Sequence, residues 1–340
     1  MIAAMACVMS TTAQDVVDGL SYYLPKTALR FVFLVEKTSY TPGDFAIYSE
    51  RYLKENAENE AATAFRIIDI KMETFGVPDK DKTFTVHTDR NLSITSIDKD
   101  DSGILIGVNA TGNKAKEHVP FVPSAKEKPL SPRDYLTQDI LAAGSTAKMA
   151  ELTALEIYDI RESRNLLNRG QADFMPQDGE QLRIMLSNLD TQEKALMQLF
   201  AGRTVKDTAE VVVEYVPQGE TERDVLLRFS GKLGVVDKDD LGGEPYYVSV
   251  EDYGMTPQSV VGDEIKKEKD LSGVHVNLPG KIKVALIHGA TAVKSYDLYA
   301  AQFGRTEELG AGLFSKKMTT SIVLSPVTGN ALHLETVPLK

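Results

Sequence analysis

Two arginines, Arg161 and Arg164 in Ile160-Arg161-Glu162-Ser163-Arg164, carry the clearest chemical capacity in this sequence. A guanidinium offers a planar fork of donors that matches carboxylates and other oxyanions. Both continue the line of Ala150, Ala154 and Ile157 at helical spacing, so they fall on the side of a helix that packs. Guanidinium groups placed there require carboxylates, and Asp178, Glu180 and Glu193 are available. Two readings follow. One is an ion-pair network that ties helices together. The other is an anion- or carboxylate-binding patch between the helix and a β unit, made of Arg161, Glu162, Arg164, Asp178 and Glu193.

A second pattern is Asp98-Lys99-Asp100-Asp101-Ser102-Gly103, the first half of a calcium loop, with oxygens from Asp98, Asp100 and Ser102 ahead of a glycine. Asn109 stands where the loop needs a bidentate Glu, and strand-like residues flank the run, so a solvated hairpin turn explains it. The histidines His87, His118, His275, His288 and His333 show no pairing at metal spacing. His288, beside Gly289 at a strand end, is the most site-like of them. Neither HExxH, nor a phosphate-cradling GxxxxGKS or GxxxxGKT, nor GxSxG occurs. A triad assembled from distant positions needs no local spacing, and no serine is singled out for one. No cofactor is implied. The chain has no tryptophan, which disfavours a sugar site, although 13 tyrosines offer other aromatic faces.

The elements that must hold these residues are read from the apolar rhythm. Runs at 29–36, 65–72 and 83–87 suit strands, and Phe45 to Leu53 returns a short helical pattern. Residues 114–132, rich in proline and lysine, read as an exposed linker. From Ser145 the period becomes helical, with the Ser145 hydroxyl placed to cap. Asp178-Gly179-Glu180 opens a second helix, and Asp190-Thr191-Gln192-Glu193 has capping-box spacing for a third that stops at Gly202. This helical unit is too small to stand alone and should pack on the β units. After residue 209 the period returns to two, through 211–215, 225–229, 246–250, 281–287 and 321–324. The expected fold is therefore α+β and mainly β, with two related sandwich- or barrel-like β units around a helical insert. The boundaries are 1–14 for a leader, 15–113 for the first β unit, 114–132 for the linker, 133–205 for the insert and 206–340 for the second β unit.

An internal repeat links the two β units. Leu24-Pro25 precedes a long strand, then comes Tyr48-Ser49-Glu50-Arg51-Tyr52, then a hairpin with Gly103 at its turn. In the same order come Leu278-Pro279, Tyr299-Ala300-Ala301-Gln302-Phe303 and Gly329.

At 340 residues the length suits more than one core. A net charge of −11 repels phosphate backbones and anionic headgroups, which disfavours nucleic acid and membrane surfaces as partners. The single cysteine, Cys7, removes thiolate, zinc-thiolate and disulfide chemistry from the rest of the chain. Thr11-Thr12-Ala13-Gln14 ends an apolar stretch with small residues where a signal peptidase cuts, after Ala13, without a basic n-region ahead of it. Ala4-Met5-Ala6-Cys7 is only a faint lipobox. No later run reaches the ~20 apolar residues of a membrane helix. Export to the periplasm or cell surface is the expectation.

Several stretches, taken together and in order, resemble a Gram-negative bacterial family catalogued as domain of unknown function 4831. They are Leu24-Pro25-Lys26-Thr27-Ala28, Ser49-Glu50-Arg51-Tyr52-Leu53, Gly144-Ser145-Thr146-Ala147-Lys148-Met149-Ala150-Glu151, the Ile160–Arg164 run, Asp240-Leu241-Gly242-Gly243-Glu244-Pro245-Tyr246-Tyr247 and Ala301-Gln302-Phe303-Gly304. The resemblance implies an exported protein of this length and assigns no activity. The functional expectation is a non-catalytic envelope module that binds a protein or glycan partner, or a largely structural one. The alternative is a periplasmic hydrolase using a carboxylate pair or a dispersed triad.

Overall fold

The computed structural model describes residues 19–87, 93–125, 129–257 and 273–338. The leader, Cys7 and the cleavage position lie outside them. The fold is α+β and mainly β, with three antiparallel sheets.

Two long hairpins form the frame. In the first, β1 (Gly19–Thr41) pairs along almost its whole length with β2 (Ala62–His87). In the second, β9 (Val274–His288) pairs with β10 (Thr291–Leu309). β5 (Arg203–Tyr215) adds to β1, giving the order β2-β1-β5. β6 (Thr221–Ser230), β7 (Gly234–Val236) and β8 (Glu244–Met255) extend the second hairpin into a five-stranded sheet, β10-β9-β8-β6-β7. The third sheet joins two short hairpins, β3 (Ile97–Lys99) with β4 (Leu105–Val108) and β11 (Met318–Leu324) with β12 (Ala331–Pro338), in the order β12-β11-β4-β3.

The long strands run through two cores. Leu29, Phe31, Phe33 and Val35 of β1 and Ile282, Val284 and Leu286 of β9 belong to one, between the three- and five-stranded sheets. Tyr22 and Leu24 of β1 and Val274 and Val276 of β9 belong to the other, closed by Leu105, Val108, Ile322 and Leu324 of the third sheet. Each core thus draws strands from both the 15–113 and the 206–340 segments of the chain.

The passage from core to core falls at the two Leu-Pro steps. A proline has no N–H to give a ladder and is tolerated where pairing is irregular. The register of β1 slips between Tyr23 and Leu24, and Pro25 faces Pro78 of β2. In β9 the ladder with β10 slips across Leu278 and Gly280, leaving Pro279 unpaired between them. One backbone contact recurs. Tyr23 N–H donates to Gly103 O and Asn277 N–H to Gly329 O, both at 3.0 Å. Each acceptor is a turn glycine at positive φ, 86° and 72°, where a side chain would be strained. The middle features of the two series differ: Ser49–Leu53 is a short helix, α1, whereas 299–303 lies within β10.

A buried polar cluster fills the crossing. The Thr27 hydroxyl donates to Val327 O (3.1 Å) and accepts from Ala301 N–H (3.0 Å). Gln302 accepts from Thr27 N–H and donates to the carbonyls of Thr27 and Pro217. Asn277 donates to Pro25 O and accepts from Thr306. These bonds satisfy groups that would otherwise be desolvated at a cost of about 1–3 kcal/mol each.

The helical insert comprises α2 (Gln138–Leu141), α3 (Thr146–Arg169) and α4 (Gly179–Ala201). Ser145 and Asp178 are N-caps, accepting from Lys148 N–H and Gln181 N–H. The chain leaves α4 through Gly202 at a φ of 75°. The expected break at Asp190 is absent: α4 runs straight through it. Asp190 and Glu193 are ion-paired to α3, and the Thr191 hydroxyl donates to Ser187 O, so the side chains needed for a capping box are engaged elsewhere. The core of the insert closes on the β1–β2 connection, where Phe45 packs with Leu199 and Phe200, and Phe45 N–H donates to Leu199 O at 2.7 Å. That connection, more than a sheet face, is what the insert is built on.

Candidate functional site

Helical spacing carries Arg161 and Arg164 of α3 across to α4. Arg161 Nε donates to Glu193 Oε1 at 2.6 Å, and its Nη2 approaches Met197 Sδ at 3.7 Å. Arg164 Nη1 donates to Asp190 Oδ1 at 2.8 Å and Glu193 Oε2 at 2.7 Å. Glu193 therefore links both guanidinium groups beside a hollow of about 440 Å³. Asp178 sits at the other end of α4 as its cap, and Glu162 is exposed. Of the five residues expected to form one patch, the structure brings together Arg161, Arg164 and Glu193. It adds Asp190, which the sequence pattern had placed in a cap. Glu180, the other expected partner, pairs with Arg183 one turn away. The arrangement joins helix to helix, not helix to sheet. With both arginines about one-third exposed, such pairs contribute at most about 1 kcal/mol each.

Asp100 and Ser102 lie in the β3–β4 turn, and Asp98 in β3 just before it. One oxygen of Asp100 accepts from Ser102 N–H, Ser102 Oγ and Ile104 N–H, while Asp98 accepts from Gly112 N–H. For Asp100 this is turn chemistry, in which a short carboxylate closes its own loop, while Asp98 ties β3 to the chain beyond β4. Among the described residues no group of three or more His, Cys, Asp or Glu is gathered to hold a metal.

His288 lies at one end of the five-stranded sheet in a polar basin of about 480 Å³ shared with Arg66, Ser230 and Glu244. Its Nε2 is 3.0 Å from Glu244 Oε2, and its ring stacks on Tyr246 at 4.4 Å. Ser230 Oγ accepts from Lys232 and Leu233 N–H, which holds it in a local turn.

The most site-like surface escaped the sequence reading. α3 is ~36 Å long, and the part of it in the core of the insert runs from Ala150 to Ile160, against Leu196 to Phe200 at the matching end of α4, with Leu167 buried further along. Beyond them the helix pair continues as an arm with a hollow of about 430 Å³, lined mainly by Leu166, Leu167, Phe174, Met185 and Leu189, with Ser163, Asp173 and Asn188 as its polar members. Phe174 is 86% exposed, and Leu166, Met175, Ile184 and Met185 are exposed as well. Exposed apolar side chains grouped around a hollow, as opposed to scattered singly, mark a contact surface. The available signal was Phe174-Met175 in the short connection between two amphipathic helices, where polar turn residues are the norm.

The fold and this surface define a two-core β protein that carries a helical arm. Residues 18–332 match the domain of unknown function DUF4831, and the chain belongs to that family. Searches of curated proteins and of solved structures return no match. No helix of the described residues is long and apolar enough to cross a membrane.

Proposed function

We propose that this chain is an exported envelope protein that binds a protein partner through the free end of its α3–α4 arm. The observation that carries the reading is the hollow between Leu166, Phe174 and Met185, mostly apolar yet open to water. An inserted apolar side chain of a partner gains roughly 1.5–3 kcal/mol on full burial. A glycan fits less well, because sugar hydroxyls need several directed polar partners and this lining is mostly apolar, with Ser163, Asp173 and Asn188 its polar members. Export is supported by the Thr11-Thr12-Ala13-Gln14 pattern. We also read the two β halves as a duplicated unit, supported by the matched hydrogen bonds at Tyr23 and Asn277.

The test places a photo-crosslinking residue at position 174 of the full chain and irradiates the cells that make it. One discrete protein adduct is expected, lost in Met185→Asp and absent when the probe replaces Lys238 on the β frame. No adduct, or an adduct indifferent to Met185→Asp, rejects the partner reading. Fractionation tests export separately: a periplasmic or surface protein beginning at Gln14 is expected, and an unprocessed cytoplasmic one overturns it.

A further inference from the structure

The 114–132 segment, expected as an exposed linker, does more than connect. Its described part crosses the outer face of the three-stranded sheet with no regular structure of its own. His118 is its anchor, with Nδ1 3.0 Å from Glu73 Oε2 on β2 and Nε2 2.6 Å from Glu210 Oε1 on β5. The imidazole is only 15% exposed. Phe121 N–H donates to the second oxygen of Glu210 at 2.8 Å, and Lys114 is tied to Asp101 at the start of the segment.

The charges on that face make the contact conditional. Arg30 of β1, opposite Glu73, is engaged with Glu214 of β5. Lys71 of β2 reaches Asp69 only at 3.9 Å and also favours the ionised form of Glu210. On the segment itself Lys116 and Glu117 flank the histidine. His118 is thus left to bridge two carboxylates. A protonated imidazole donates from both nitrogens and satisfies both; a neutral ring keeps a single N–H and faces one carboxylate with a lone pair.

We propose that residues 114–122 form a releasable strap, clasped by doubly bonded imidazolium at His118 and freed when that ring loses its proton. Val32, on the same face of β1 between the levels of Glu73 and Glu210, is only 5% exposed, whereas its cross-strand neighbour Val212 keeps 40% exposure. Release frees the Val32 side of a sheet face that also carries Lys71, Glu73, Glu210 and Glu214.

The direction of the response follows from the partners. Bonding to Glu210, then to Glu73, raises the His118 pKa above its ordinary 6.5, and bonding to His118 lowers that of Glu210 below 4.5. The histidine's contribution is complete below 6.5 and is lost as pH rises through its raised value. The glutamate's is complete above 4.5 and is lost as pH falls through its lowered value. The clasp is therefore tightest between about pH 4.5 and 6.5.

Hydrogen–deuterium exchange on the full chain tests this, comparing residues 114–122 at pH 5.5 and pH 8.5 after correction for intrinsic exchange rates. Protection is expected to fall at least ten-fold at the higher pH while β1 stays unchanged. His118→Gln should exchange fast at both pH values, and His118→Lys, a permanent cation, should stay protected at both. Protection that ignores pH in the parent chain, or pH dependence that survives in His118→Gln, overturns the strap.

Discussion

The hairpin crossing and the free end of the helical arm invert each other's chemistry. At the crossing, polar side chains are buried: Thr27 and Asn277 are wholly inaccessible, the first bonded to backbone groups and the second to the Pro25 carbonyl and the Thr306 hydroxyl. At the arm's end, apolar side chains are bare, with Phe174 and Met185 in water beside an open hollow. Burying polar groups is tolerable only when their bonds are complete, and completing them specifies one geometry. Leaving apolar groups exposed costs folding little but supplies a surface that gains on association. The crossing holds the two cores in register, while the arm has surface to spare.

If the crossing is structural, substitutions there should be the most damaging in the molecule. A Cβ on Gly304 would lie 1.8 Å from Leu278 O and 2.7 Å from Gly280 N, both backbone atoms with no room to yield. Gly304→Ala should therefore cost about 4 kcal/mol or more, in the range of severe overpacking, and often prevent folding. Urea unfolding of Gly179→Ala supplies the contrast, because a Cβ there meets nothing within 4 Å. Equal stability of the two variants would break the argument. Thr27→Val keeps shape but leaves Ala301 N–H and Val327 O without their side-chain partner. Its expected cost is about 2–3 kcal/mol, read from the urea midpoint at unchanged slope; a loss below 0.5 kcal/mol would mean the polar cluster contributes nothing net.

The same contrast shows what the sequence could disclose. Local grammar was readable: Ser145, Asp178 and Gly202 punctuate the helices where a hydroxyl, a carboxylate and a glycine predict it. The fold class and the first arginine pairing followed from apolar period in the same way. Long-range pairing was not readable. Nothing local to Leu29–Tyr40 says that its second neighbour is Arg203–Tyr215, the far side of the helical insert. Pro25 and Pro78 look like strand ends, yet they face each other inside one continuous pair. Asp190 to Glu193 matched a capping box because the motif is written in side-chain types alone, and Arg164, 26 residues earlier, competes for the same carboxylates. His118 sat in a segment whose composition suited solvent, while its two glutamates lie on strands distant in sequence.

The smallest effect on stability should come from the arm, and that smallness is the informative result. Phe174 is 86% exposed, so Phe174→Ser removes little buried area and should shift unfolding by less than about 0.5 kcal/mol. The same change should abolish any association made through the hollow, because it removes the large apolar side chain from the rim. Thermal unfolding and binding must therefore separate: Tm within a degree or two of the parent, partner capture lost. Were Phe174→Ser to destabilise the chain as much as Thr27→Val, the phenylalanine would belong to the packing of the helix pair. The arm would then be an extension of the core, and its surface would have no work left to do in binding.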